Sequence, residues 1–357
     1  VSALLRQENF TAMYSGMGVA LAITISELLV LIFLFLVYRS SRTREKKGNG
    51  EGMRITDTFG SQTCAVLSSM YPTVLITICA HLPVWLGILF YVKSSADEAG
   101  LELYGVYYGK YLPLVGILYL AICIMILPNC YRTVSCIRRD EQRYAKNQFG
   151  GGFHAGITWG AFVAVFVAVM AAPVADIIGA AGREIAQQML RFGTFWILFA
   201  IAGFYFSEIL LLLNGKFWVM GAVALKDIFF VISALLLLNG GKAGILSLVL
   251  AGMIGELVYA VLTGVLLYRQ LHQRPDLVRH LVIPVVAACA IGLILYFIGK
   301  AITPHLGSLV SVLLCLIPGI CCYLLILLFL RNFTEQELHY VPGGMLLSRI
   351  GQLLRIY

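Results

Sequence analysis

The chain has 357 residues, 60% hydrophobic and 12% charged, with a formal net charge of +8 and a mean hydropathy of +0.89. A soluble globular domain is about half apolar and about a quarter charged, so this composition excludes that class and makes the bilayer the solvent. The positive balance does not mark a nucleic-acid binder, because lysines and arginines gather just outside apolar runs, where membrane topology accounts for them.

A membrane-spanning helix needs about 20 mainly apolar residues to cross about 30 Å of hydrocarbon. The sequence predicts nine such segments, at 13–38, 61–92, 111–131, 154–178, 189–213, 217–238, 243–268, 281–302 and 307–330. The second is long for a straight span and carries Pro72 and Pro83, two places to kink. Between the first two lies "SSRTREKKGNGEG", Ser40 to Gly52, charged and glycine-rich, the most linker-like stretch of the chain. It marks the expected boundary between two bundles, although basic runs beside a membrane also bind lipid head groups. After the last span, Leu346, Leu347, Ile350, Leu353 and Leu354 recur at helical spacing between polar residues, which predicts a short amphipathic helix on the membrane surface. The sequence begins at Val1 without a signal peptide's charge and cleavage pattern, and reads as a piece of a longer protein.

Alternate connections differ sharply in basic residues. One side, including residues 39–60, 132–153 and the carboxy-terminal tail, holds 18 lysines and arginines; the other holds seven. Basic excess marks the cytoplasmic face, so the carboxy terminus is expected inside and Val1 outside.

The nine cysteines are scattered, without CxxC or Cys/His spacing, and read as small buried apolar residues and not as a metal site. No nucleophile–base pairing, Walker-type glycine loop or HExxH stretch is present, so no enzyme is predicted and no cofactor is expected.

The stretch "VALKDIFFVI", Val223 to Ile232, places Lys226 and Asp227 about 15 Å along a helix entering at residue 217. The following helix carries Glu256 about 18 Å from its end at Tyr268, and Glu208 lies shallower on the preceding helix. An ionised group at a helix centre costs about 2.5–3.5 kcal/mol, so these side chains must face protein or water. Two readings compete: a structural ion pair of Lys226 with Asp227 or Glu256, and the polar lining of a cavity that meets substrate or protons. His81 and Asn129 are weaker pathway candidates, explained as readily by packing and by backbone groups freed at Pro128. Asp176 is expected near the outer surface, in water.

The stretch "YGVYYGKYLPLVGILYLAICIMILPNCYRTVSCIRRDEQR", Tyr104 to Arg143, with its Tyr-Gly pair, second glycine, proline-bearing helix and basic loop, resembles the eighth helix of particular flippases. These are the relatives of stage V sporulation protein B and the lipid II flippases, in the multidrug, oligosaccharidyl-lipid and polysaccharide exporter superfamily. "TEQELHYVPGG" also resembles their carboxy-terminal end. The fold implied is an all-α integral membrane protein with fourteen helices in all, of which this chain resembles helices six to fourteen. Residues 1–38 would then end the amino-terminal lobe, 39–60 form a basic cytoplasmic linker, 61–268 the six-helix carboxy-terminal lobe, 269–331 two additional helices and 332–357 a cytoplasmic tail.

The resemblance implies alternating access in a bacterial cell membrane, moving a polyprenyl-linked saccharide for polysaccharide, cell-wall or spore assembly, with proton or sodium coupling and lipid as the surrounding partner. Lys226 would attract the anionic head group, and Asp227 and Glu256 would tune it or couple protons. Residues 111–131 lack the arginines by which lipid II flippases resemble one another, which argues against lipid II as cargo. Two other expectations stand beside this one: a cation-coupled multidrug or metabolite antiporter of the same superfamily, and a non-transporting scaffold in envelope or spore assembly.

Overall fold

A computed structural model describes residues 25, 28, 32, 59–94, 98–179, 183–239, 244–271, 276, 278–330 and 332–333. Apart from three helical positions, the predicted first span lies outside the described residues, as do the linker at 40–52 and the amphipathic tail. Contacts divide the chain into residues 1–65 and 66–357, and the packing described below is that of the second unit.

Among the described residues every regular element is a helix: α1 Phe59–Ser94, α2 Glu98–Val106, a π-helical turn Tyr107–Tyr111, α3 Leu112–Arg138, α4 Gln142–Val169, α5 Ala171–Ile177, α6 Arg183–Gly193, α7 Trp196–Leu212, α8 Lys216–Asn239 and α9 Leu246–Leu271. A second π-helical turn, Val278–Val282, leads into α10 Ile283–Leu306, and α11 Ser308–Phe329 follows. Among the described residues seven helices are long and apolar enough to cross a membrane, or eight if the bent pair α6–α7 forms one span. Helices satisfy their backbone polar groups internally, which lipid requires. The protein is therefore an α-helical membrane protein.

Four predicted segments differ from the helices found. α1 runs on through Pro72 and Pro83 without a break. The segment at 111–131 is the middle of a longer rod, Glu102–Arg138, whose two ends are more polar. The segment at 154–178 starts at Gln142, because hydropathy registers only the part in lipid, and breaks at Met170, where Pro173 has no N–H for the Val169 carbonyl. The segment at 189–213 is two helices bent by 43°. At the bend the Thr194 hydroxyl donates to the Leu190 carbonyl at 2.9 Å and the Ala164 carbonyl at 3.0 Å. Such i−4 back-bonding loosens a helix and favours a bend.

α4 is the axis of the bundle. Of its apolar window 78% is buried, against 12–39% in the other long helices. Gly152, Gly156 and Gly160 form one face of it, and a Cβ at any of them would come within 3.1 Å of Tyr205 or Ile201 on α7. This small-residue stripe lets α3 and α7 approach closely, as lipid-embedded helices must where no hydrophobic force drives them together. The Tyr205 hydroxyl donates to the Phe149 carbonyl at 2.9 Å, and that of Tyr323 on α11 donates to the Thr158 carbonyl at 2.9 Å, so both neighbours are also tied to α4 by hydrogen bonds.

α3 and α7 end in the same way. Asp140 and Asn214 take left-handed φ of 60° and 65°. The next N–H donates back to a carbonyl: Glu141 to Cys136 at 3.0 Å, and Gly215 to Leu210 at 2.7 Å. These are Schellman motifs, which use backbone donors for the carbonyls a helix end leaves open.

Candidate functional site

α8 and α9 are antiparallel neighbours, and α9 also packs on α7. A stripe on α8 made of Val219, Ala222, Val223, Asp227, Phe230 and Ala234 is buried, while Phe217, Leu225, Ile228 and Ile232 on other faces are exposed to the bilayer side. This periodicity buries Asp227, and Lys226 beside it lies against Gly255 of α9.

The Lys226 ammonium donates to the Glu256 carboxylate across α8 and α9, with 17% and 9% of the two side chains exposed. Of the two partners that sequence allows for Lys226, the fold selects Glu256. The Lys226 ammonium also lies over the Tyr259 ring, 5.4 Å from its centroid, a cation–π contact. Tyr259 is one turn beyond Glu256 on the same face of α9. It lies beside Ser207 on α7 and within electrostatic reach of both Glu256 and Glu208. Gly203 makes room for it: a Cβ there would sit 2.6 Å from the ring.

Asp227 faces the fields of Lys226 and Glu256, yet neither of its carboxylate oxygens has a hydrogen-bond partner and both are closed to water. The residue as a whole is 6% exposed. Glu208 is half-buried, close to Cys130 of α3 as well as Tyr259. Lys226, Asp227 and Glu256 therefore form one electrostatic cluster on α8 and α9, and Glu208 of α7 joins it only through Tyr259, for one ammonium and three carboxyl groups in all. Asp227 and Glu256 lie about 16 Å and about 15 Å along their helices from Lys216 and Leu246, near mid-span for both.

The weaker candidates fall elsewhere. His81 is exposed on α1. Asn129 is buried at the α3–α4 crossing, where its Cβ limits Gly152 and its carbonyl accepts the Thr133 hydroxyl at 2.8 Å. Asp176 is more than a wet surface group: it pairs with Arg183 at 2.7 Å and accepts the Ser308 hydroxyl at 3.0 Å, joining α5, α6 and α11. The expectation that the cysteines are buried holds for Cys123, Cys130 and Cys315 but not for Cys289, Cys321 and Cys322, which are exposed on apolar helix faces where lipid is the neighbour. Among the described residues no group of three or more His, Cys, Asp or Glu side chains is placed to hold a metal ion.

Two features had no part in the sequence reading. Tyr259 escaped it because an aromatic residue in an apolar run is unremarkable; its spacing of three from Glu256 was the available signal. The second is a buried polar knot far from the charged cluster. His154 of α4, fully buried, meets Asn332 beyond α11 at 2.9 Å, and its ring centroid is 5.1 Å from that of His280. The Arg279 guanidinium donates to the Asn332 carbonyl at 3.1–3.2 Å. His154 lies 126 residues from His280 and 178 from Asn332, and Arg279 lies 53 from Asn332, so only the fold brings them together.

Compared with known family models, curated proteins and solved structures, the chain matches none of them.

Proposed function

We propose that this protein belongs to the transporter class of the resemblance described above and that it moves a polyprenyl-linked saccharide across a bacterial cell membrane, with the carboxy terminus in the cytoplasm. The observation that carries this reading is the cluster of Lys226, Glu256 and Asp227 at mid-span, with Glu208 nearer the end of α7. Four ionisable groups on three adjoining helices, in a chain with so few charges, are an expensive arrangement for packing alone. Transporters place substrate and coupling-ion groups at that depth, on helices that are often discontinuous, and the bent pair α6–α7 is one. In this reading Lys226 exchanges Glu256 for a diphosphate oxygen, and the carboxylates rebind it after release.

A second reading has its own observation. Lys226 is already satisfied by Glu256, which is what a purely structural pair in a non-transporting scaffold requires. The cation-coupled antiporter rests on the surplus of carboxylates over ammonium groups in the cluster.

The deciding experiment reconstitutes the reading frame that carries this chain, with the helices the resemblance places before Val1, into proteoliposomes containing a fluorescent undecaprenyl diphosphate oligosaccharide. Faster movement between leaflets than in protein-free vesicles, abolished by Lys226→Ala, supports the proposal. Saccharide movement no faster than in protein-free vesicles overturns it, and proton-driven uptake of an organic cation would then favour the antiporter.

A further inference from the structure

A pocket of about 350 Å³ opens between α1 and α8. Cys79, Leu82 and Leu86 form one wall, Ala224, Ile228 and Val231 belong to the other, and Asp227 is the only lining residue with an ionisable carboxyl. The volume is within the roughly 300–1,000 Å³ of ordinary small-molecule sites, and an apolar lining with one convergent polar group is their usual chemistry.

Asp227 sets the character of this pocket. The residue is 6% exposed, and its two oxygens lack hydrogen-bond partners and lie beneath the water-accessible surface. The charges that face it are Lys226, on its own helix, and Glu256, from α9. Lys226 is hydrogen-bonded to Glu256, so its ammonium attracts Asp227 from beside it without bonding to it, and Asp227 keeps two oxygens with no hydrogen-bond partner. A buried carboxyl without a donor favours a cation that brings one through an apolar entrance.

We infer that the α1–α8 pocket is a binding site for a hydrophobic monoamine taken up from the lipid, its apolar body held by the aliphatic walls and its ammonium by Asp227. An inorganic cation is the poorer match, because the pocket offers it a single side-chain carboxylate, the Cys79 thiol and otherwise hydrocarbon, whereas an alkylammonium needs few polar partners and brings its own apolar surface. Binding turns the Asp227 side chain to a neighbouring staggered rotamer that faces the pocket. The amine then supplies the positive charge that the ion pair beside it withholds. The site opens between two helices beside the Lys226–Glu256 contact and shares Asp227 with the charged cluster, but amine binding to it is read without saccharide transport.

The test uses the protein in nanodiscs with dansylcadaverine, a primary amine on an apolar fluorophore, and its N-acetyl derivative, which has the same fluorophore and no charge. Fluorescence is titrated against nanodiscs without protein. The expected result is that the amine binds at least about tenfold more tightly than the acetylated probe, about 1.4 kcal/mol. Asp227→Asn, of the same shape, should remove that preference and leave the weak apolar binding of both probes. Ala224→Trp, which fills the pocket without touching the carboxylate, should weaken both. Equal titration of the two probes by the unaltered protein, or no signal above protein-free nanodiscs, overturns the inference without any variant having to fold. A preference for the amine that survives in folded Asp227→Asn protein overturns it as well, because the cation would then be held elsewhere. None of these readings involves transport, so failure here and failure of the proposed function are separate results.

Discussion

At the scale of single residues, the Lys226–Glu256 contact is the feature whose removal says most. Each side chain is largely shielded, so deleting one leaves the other charged and unsatisfied in a region of low dielectric. Lys226→Met should therefore cost about 3 kcal/mol of stability, while Lys226→Met combined with Glu256→Leu should recover most of it, since removing both charges removes the desolvation cost as well. Unfolding in mixed micelles, run as a double-mutant cycle, measures this; a double variant as unstable as the sum of the singles would show that the two groups have other partners. Gly203 offers a steric counterpart. A valine there drives its side chain into the Tyr259 ring, which lies 2.6 Å from the glycine's would-be Cβ, and overpacking of this kind costs about 1–3 kcal/mol. Tyr259→Ala should restore the Gly203→Val protein toward the stability of Tyr259→Ala alone, as read in the same assay. The charged residues of this site were legible because formal charge inside a hydrophobic run stands out and has a known cost. Tyr259, His154, His280 and Asn332 were not, because each is an ordinary residue in its local stretch and acquires a role only through partners on other helices.

At the scale of elements, the spans were legible and their ends were not. Hydropathy reports where a helix lies in lipid, and α4 and the rod from α2 to α3 continue beyond it into polar surroundings. The break at Met170 falls just before Pro173, which has no N–H to offer the Val169 carbonyl, whereas the bend at Thr194 has no proline and depends on a hydroxyl finding the Leu190 and Ala164 carbonyls, one of them on another helix. Nor did the glycine stripe on α4 declare itself, since its spacing acquires meaning only against Tyr205 and Ile201 of α7. The helix ends make a sharper prediction. In the Schellman motifs after α3 and α7 the left-handed position is held by Asp140 and Asn214, where glycine has no steric penalty. Asp140→Gly should stabilise the protein by up to about 1 kcal/mol, and Asp140→Val should destabilise it by about 1–2 kcal/mol, since a β-branched residue tolerates that φ least. Thermal unfolding of the two variants in one detergent gives the order; if valine and glycine are equivalent, residue 140 leaves the left-handed region at little cost.

For the whole molecule, the question that decides the topology is whether the bent pair α6–α7 crosses the membrane or turns back within it. The contacts at its two ends argue for a crossing. Lys110, near the beginning of the Glu102–Arg138 rod, donates to the Gly179 carbonyl just before α6, and Arg183 at the start of α6 pairs with Asp176. At the other end of the rod, Arg138 donates to the Leu212 carbonyl at the last turn of α7, 2.8 Å away. The pair thus begins beside one end of a membrane-length helix and finishes beside the other. Counting crossings along the chain then puts Arg139 and Asp276 on one side and Glu184 and His305 on the opposite side, and the lysine and arginine distribution predicts that the first side is cytoplasmic. With the native cysteines replaced, single cysteines at these four positions report it. An impermeant maleimide added to intact cells should label Glu184→Cys and His305→Cys, and should reach Arg139→Cys and Asp276→Cys only after permeabilisation. A uniform reversal would leave the fold intact and invert its orientation. Labelling of Asp276→Cys together with Glu184→Cys from outside carries a different meaning: α8 and α9 would still cross, α6–α7 would not, and the charged cluster on α7, α8 and α9 would have to be rebuilt around a re-entrant hairpin.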